Sequence, residues 1–246
     1  MSTIPAAHTA AIVVTSSTPL WYATRATGLV ALVLLTLSMA LGLLSSVRFA
    51  RPGWPRFVTL GLHRNVSLLA LAFTVVHILT SVLDGFVHIP IQDAVVPFIS
   101  SYRPLWTGLG AISFDLMIAL IVTSVLRTKM TYRSWQIVHW GAYLCWPVAV
   151  VHGLGTGTDT PARWVLVLTG LCVAAIVILT LWRLISGWSA RPLASTLGAV
   201  AVVAIVIAGT AWLRAGPLSP GWARRAGTPP AAQTHAGAAR APGAGR

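Results

Sequence analysis

Four histidines, His63, His77, His139 and His152, lie inside stretches apolar enough to occupy a membrane, two in HRNVSLLALAFTVVH and two in WQIVHWGAYLCWPVAVVH. An ionisable side chain in hydrocarbon is costly and marks function by default. Imidazole can relay protons or ligate a metal, and the spacing narrows the choice. His63 and His77 are fourteen positions apart and His139 and His152 thirteen, which on a helix means about 21 Å and about 19.5 Å. No single ion bridges either pair, so each histidine must find its partner on the other segment. The two segments are separated by one hairpin's worth of chain and run parallel. His63 then stands level with His139, and His77 level with His152, giving two levels of two imidazoles.

Zinc and copper sites normally take three or four protein ligands, and neither level offers an obvious carboxylate or thiolate. A haem iron already has four ligands from its porphyrin and needs only two more, for which imidazole is a usual choice. Two haems stacked across the bilayer fit this pattern best, and ligation from both sides favours electron transfer over chemistry at the metal. One difficulty is helical phase. At about 100° per residue, fourteen steps return to within roughly 40° of the starting face, but thirteen miss it by roughly 140°. Pro147 removes a backbone hydrogen bond between the two histidines, which predicts a kink there, or a helix end near His152, that re-aims the second ligand. His8 and His235 lie in polar ends and His88 in a loop, and these read as solvated side chains.

The elements that must hold such levels follow from composition. Of 246 residues, 56% are hydrophobic and 9% charged, with a mean hydropathy of +0.80; soluble domains carry roughly 25% charged residues. The expected fold class is all-α, a polytopic membrane helix bundle with any haem held between the second and fourth spans. Six apolar runs reach the roughly 20 residues that a bilayer core requires, at about 20–45, 57–83, 105–126, 134–153, 163–185 and 194–213. The organisation expected is an N-terminal segment (1–19), a six-helix domain (20–213) and an Ala/Gly/Pro-rich disordered tail (214–246). The first twenty residues hold no Lys or Arg, so the first run is expected to be kept as a helix rather than cleaved. Cys145 and Cys172 fall within apolar runs and read as small core residues.

Seventeen Lys and Arg against four acids give a formal charge of +13. In so apolar a chain this surplus reads as topology signals and lipid headgroup contacts, not as nucleic-acid binding. Arg48, Arg51 and Arg56, then Arg127, Lys129 and Arg133, then Arg183 and Arg191 occupy alternate short loops, whereas the opposite loops hold Arg103 and Arg163 beside Asp84, Asp93 and Asp159. The basic loops predict the cytoplasmic side of a plasma membrane and both termini outside, although five arginines in the tail point the other way.

HRNVSLLALAFTVVH followed by WQIVHWGAYLCWPVAVVH resembles the two haem helices of the ferric reductase-like transmembrane domain family. That family includes ferric reductases, the membrane portion of NADPH oxidases, and the membrane subunit of the periplasmic methionine sulfoxide reductase system. The resemblance spans roughly residues 20 to 186. It implies that His63, His77, His139 and His152 are axial haem ligands and that electrons cross the membrane through two b-type haems. Full-length oxidases and reductases of this kind carry a flavin and NADPH domain. No dinucleotide fingerprint occurs here, GLGTGTD at 153–159 being a helix-exit loop that follows no strand. The resemblance therefore implies a separate flavoprotein or FMN-binding redox partner.

Other residues are candidates for supporting roles. Arg56, Arg64 and Arg103 could hold haem propionates, since guanidinium binds carboxylate bidentately. Asp115, the only acid within an apolar run, reads as a proton relay, an ion-pair partner for Arg25, or a hydrogen-bonded packing group. Phe73, Tyr143 and Trp146 lie between the two levels, where they could shorten an electron path or simply pack. Two further functions remain open: a quinol-linked respiratory cytochrome b, and a non-haem transporter or assembly factor whose histidines bind metal or relay protons. The second of these would not need matched levels.

Overall fold

The computed structural model of the chain describes residues 19–47, 55–84, 87 and 89–229. The expectations for His8, His88, His235, Arg48, Arg51, the first eighteen residues and the tail beyond residue 229 fall outside this range. Six long helical stretches match the six apolar runs: α1 (Pro19–Ser46), α2 (Arg56–Leu83), α3 (Pro104–Val125), the pair α4 (Tyr132–His139) and α5 (Ala142–Thr156), α6 (Arg163–Ser186) and α7 (Pro192–Ala215); a short α8 (Trp222–Arg225) follows. All six are long and apolar enough to cross a membrane. Among the described residues there is no strand. The protein is an all-helical, multi-pass membrane bundle.

Prolines punctuate the starts, with Pro104 and Pro192 in the first turns of α3 and α7, where a missing N–H costs nothing. Hydroxyls inside the apolar helices are satisfied by the carbonyl one turn back, as in Thr36 to Leu32 at 2.7 Å and Thr74 to Ala70 at 2.8 Å. In the packing, α1 lies along α2 and α3 along α5, while α1 also touches α5 and α6, and α7 leans on α6. The buried core, Leu43, Trp146, Val150, Leu154, Cys172 and Ile176, joins α1, α5 and α6. Trp146 donates from Nε1 to Thr36 Oγ1 at 3.0 Å, so it is a packing residue. Cys145 and Cys172 are buried free thiols, as expected of core residues.

The fourth span departs from expectation. Pro147 lies inside an unbroken α5, and the interruption falls earlier, at Trp140 and Gly141. Their dihedrals (φ −64°, ψ −19° and φ −54°, ψ −20°) are those of a 3₁₀ turn. Bonds one residue shorter than α-helical confirm it: Gly141 N–H to Val138 O, Tyr143 N–H to Trp140 O and Leu144 N–H to Gly141 O, at 2.8, 3.0 and 3.0 Å. A 3₁₀ turn advances about 120° per residue instead of about 100°, so the six steps from Val138 to Leu144 recover up to about 120° of the roughly 140° shortfall. Overwinding after His139 turns the second ligand in the direction that thirteen residues require, and Pro147, inside α5, forgoes the bond to the Tyr143 carbonyl.

The C-terminal boundary also needs correction. Helix α7 continues to Ala215 and residues 216–229 fold against the bundle, so at least these do not belong to a disordered tail.

A Cβ on Gly141 would stand 2.9 Å from the Val138 carbonyl oxygen. Gly141→Val is therefore expected to strain the overwound turn and destabilise the protein by about 1–3 kcal/mol, read as a lowered midpoint in detergent unfolding; a variant as stable as the parent would show that the turn does not depend on glycine.

Candidate haem-binding site

Both histidine pairs meet. The His63 and His139 rings have centroids 6.2 Å apart and those of His77 and His152 6.4 Å, with interplanar angles of 75° and 79°. Helix α2 supplies one member of each pair; α4 ends on His139 and α5 carries His152.

What aims the rings lies on the neighbouring helices. His63 donates from Nδ1 to Ser38 O at 2.9 Å, His77 to Thr24 O at 2.7 Å, and His152 to Trp106 O at 2.8 Å. A carbonyl can only accept, so in these three rings Nδ1 carries the proton and Nε2 presents a lone pair. Four residues after each accepting carbonyl stands a glycine: Gly42, Gly28 and Gly110 respectively. Side chains on a helix lean back over the preceding turn, so any Cβ there would crowd the approaching ring. A Cβ would sit 3.4 Å from His63 Cε1 at Gly42, 2.9 Å from His77 Cε1 at Gly28 and 2.5 Å from His152 Cε1 at Gly110. Carbonyl and glycine together form a docking notch for imidazole.

His139 is the exception. Its Nδ1 is buried with no hydrogen-bond partner among the described residues, and its ring stacks on Trp135 at 4.7 Å, which in turn lies under the Arg127 guanidinium at 4.6 Å.

These residues fit a haem iron on three counts. Ring centres 6.2 and 6.4 Å apart would leave room for one metal ion between each pair, at metal–nitrogen bonds of about 2.0–2.1 Å. Ligating histidines characteristically donate their other N–H to a carbonyl or carboxylate, as three of these do. The third holds for the His77/His152 level alone: between α1, α2, α3 and α5 lies a cavity of about 320 Å³ lined by these two histidines with Leu32, Leu35, Phe114 and Met117, within the roughly 300–1,000 Å³ of small-molecule sites. No cluster of three or more His, Cys, Asp or Glu that could hold a bare ion occurs among the described residues.

The supporting candidates divide. Arg56 and Arg64 are exposed on α2, Arg56 beside Ser45 and Thr59. Arg103 is 3% exposed and committed elsewhere: Nη1 donates to Gly155 O and Thr156 O at 2.9 and 3.0 Å, and Nε to Thr228 Oγ1 at 2.8 Å. Burial lowers its pKa while Tyr102 opposes that shift. These bonds tie the Arg103 guanidinium to the end of α5 and to Thr228. Arg25 pairs with Asp159, not with Asp115, which lies on an exposed face of α3. Tyr143 contacts Arg183 and Phe73 is partly buried. Sequence reasoning found the four histidines and missed Gly28, Gly42 and Gly110; the signal was present, because Gly28 and Gly42 repeat in α1 the fourteen-residue spacing of His63 and His77.

Alanine at the three notches is expected to destabilise in the order Gly110→Ala, Gly28→Ala, Gly42→Ala. The first costs about 1–3 kcal/mol as an overpacking change and the last less than about 1 kcal/mol. Detergent unfolding midpoints check the order, and equal effects at all three would contradict the notch.

A family model described as ferric reductase like transmembrane component matches residues 27–154, just over half of the chain, including His63, His77, His139 and His152 and all of the notch residues but Thr24. No curated protein and no solved structure matches. The chain, a membrane redox component by its family, belongs to the ferric reductase-like transmembrane proteins.

Proposed function

We propose that this protein is a di-haem b-type cytochrome that carries single electrons across the plasma membrane, to ferric iron or to a partner redox protein. The observation that carries the reading is the pair of imidazole couples, 6.2 and 6.4 Å between centroids, at levels about 21 Å apart along α2. Haem bound at each level would supply a one-electron ferric/ferrous couple. His63, His77 and His152 present Nε2 because their Nδ1 protons are held by Ser38, Thr24 and Trp106. His139 lacks that hold. Two imidazoles holding each haem would favour electron transfer over chemistry at the metal, and Leu32, Leu35, Phe114 and Met117 would give the cavity at the His77/His152 level an apolar wall.

Matched levels support this reading over a non-haem transporter, whose histidines have no reason to pair twice at one distance. The basic loops favour the cytoplasmic side for the His63/His139 level and the extracytoplasmic side for both termini. At the cytoplasmic side Arg127 and Trp135 stack in front of His139, a face suited to a separate flavoprotein or FMN-binding donor. The chain then acts as an oxidoreductase or as the electron-transfer subunit of one.

Dithionite-reduced minus oxidised spectra of the purified protein, with haem quantified, should give two haems per chain; His77→Ala or His152→Ala should leave one, and so should His63→Ala or His139→Ala. Loss of one orienting partner lowers metal affinity about 10–100-fold, so haem capture by excess apomyoglobin should empty the His63/His139 level first. A parent protein without haem after expression with ample haem supply refutes the proposal.

A further inference from the structure

Residues 216–228 double back over the end of the bundle that carries His152. Gly221 (φ 75°) and Gly227 (φ 86°) supply left-handed turns, and between them α8 presents Trp222. Trp222 donates from Nε1 to Gly155 O at 3.1 Å and sets its ring 5.1 Å from that of Trp106. The Gly227 carbonyl accepts the Arg103 N–H at 3.1 Å, and Thr228 Oγ1 accepts from Arg103 Nε. Arg103, itself left-handed at φ 45°, reaches on to the Gly155 and Thr156 carbonyls.

These contacts converge on the surroundings of one imidazole. Gly155 and Thr156 form the last turn of α5, three and four residues beyond His152, where carbonyls lack intrahelical donors. The Trp106 ring presses on Gly155, only 2.3 Å from where a Cβ would be, while its carbonyl takes the His152 Nδ1 proton. The Trp106 ring and the last turn of α5, whose Thr156 Oγ1 also lies 3.2 Å from His152 Nδ1, are thus gripped from the far side by the segment after α7, Trp212 of α7 flanking the same Trp106 ring at 5.2 Å. His139 has no comparable support.

We propose that residues 216–228 are a positioning strap for His152: Trp222, through the Trp106 ring, and Thr228, through Arg103, hold the carbonyl and the helix end that point this imidazole at His77. The inference rests on the di-haem reading for its consequence, which is to tighten haem retention and set the midpoint potential at the His77/His152 level alone.

The test compares the full-length chain in nanodiscs with Trp222→Ala, Thr228→Val and Thr228→Ser, the two levels being assigned from His63→Ala and His77→Ala. Because orienting partners are worth about 10–100-fold in metal affinity and the strap acts one contact further out, we expect about tenfold faster haem loss from the His77/His152 level in Trp222→Ala and Thr228→Val. That level's potential should shift, the other level should not change, and Thr228→Ser should restore parental behaviour. Equal changes at both levels, or none at either, would overturn the strap. Amide hydrogen exchange in haem-free protein gives an independent readout: exchange over residues 150–156 should quicken in both disruptive variants while α2 is unaffected, and unchanged exchange there overturns the inference whatever the haem content. A parent chain that binds no haem instead refutes the di-haem reading, leaving exchange to judge the strap.

Discussion

An imidazole can share the carbonyl of a packed helix only where that helix leaves room for the ring, and three of the four membrane histidines meet this condition by pairing a carbonyl with a glycine four residues on. The carbonyl chooses the tautomer and the glycine sets the distance. Much of the bundle follows from these notches. Helix α1 must lie against α2 with Gly28 and Gly42 facing His77 and His63, and α3 must lie against α5 with Gly110 facing His152, as they do. The cavity between these two helix pairs is bounded by what is left.

The two levels are built differently. At the His77/His152 level both rings are anchored, and the helix end beyond His152 is clamped by Arg103 and the chain after α7. At the other level Ser38 and Ser67 form a hydroxyl pair beside His63, but His139 ends its helix and rests on Trp135 without a polar hold. The His77/His152 end carries Asp84, Asp93 and Asp159, and the His63/His139 end carries the basic loops. The level with fewer polar anchors therefore lies next to the basic loops, and the level with more lies next to the acids.

Much of this architecture is legible in the sequence, because hydrocarbon imposes simple rules. Span limits such as 57–83 and 163–185 fall within a residue or two of Arg56–Leu83 and Arg163–Ser186, since composition alone ends a membrane helix. The need for a phase correction in the fourth span is legible too, from the count of thirteen. Its location is not, because proline is the recognised breaker, whereas the turn at Trp140 and Gly141 works by overwinding, which leaves no compositional mark. Residues 216–229 mislead in the same way. Their glycines and prolines resemble a disordered segment, yet Gly221 and Gly227 are used for fixed left-handed turns and the anchoring falls on single side chains such as Trp222 and Thr228. The notch glycines are hidden because a glycine in an apolar helix reads as a packing residue until the ring that needs it is known.

The most direct measurement is the position of iron itself, from anomalous scattering or high-resolution density of the haem-loaded protein. Two iron atoms are predicted about 20 Å apart, each midway between the Nε2 atoms of His63 and His139 or of His77 and His152, with the Nδ1 bonds to Ser38, Thr24 and Trp106 intact. Iron held through Nδ1 of His63, His77 or His152, or found away from both pairs in protein shown to contain haem, would contradict this arrangement.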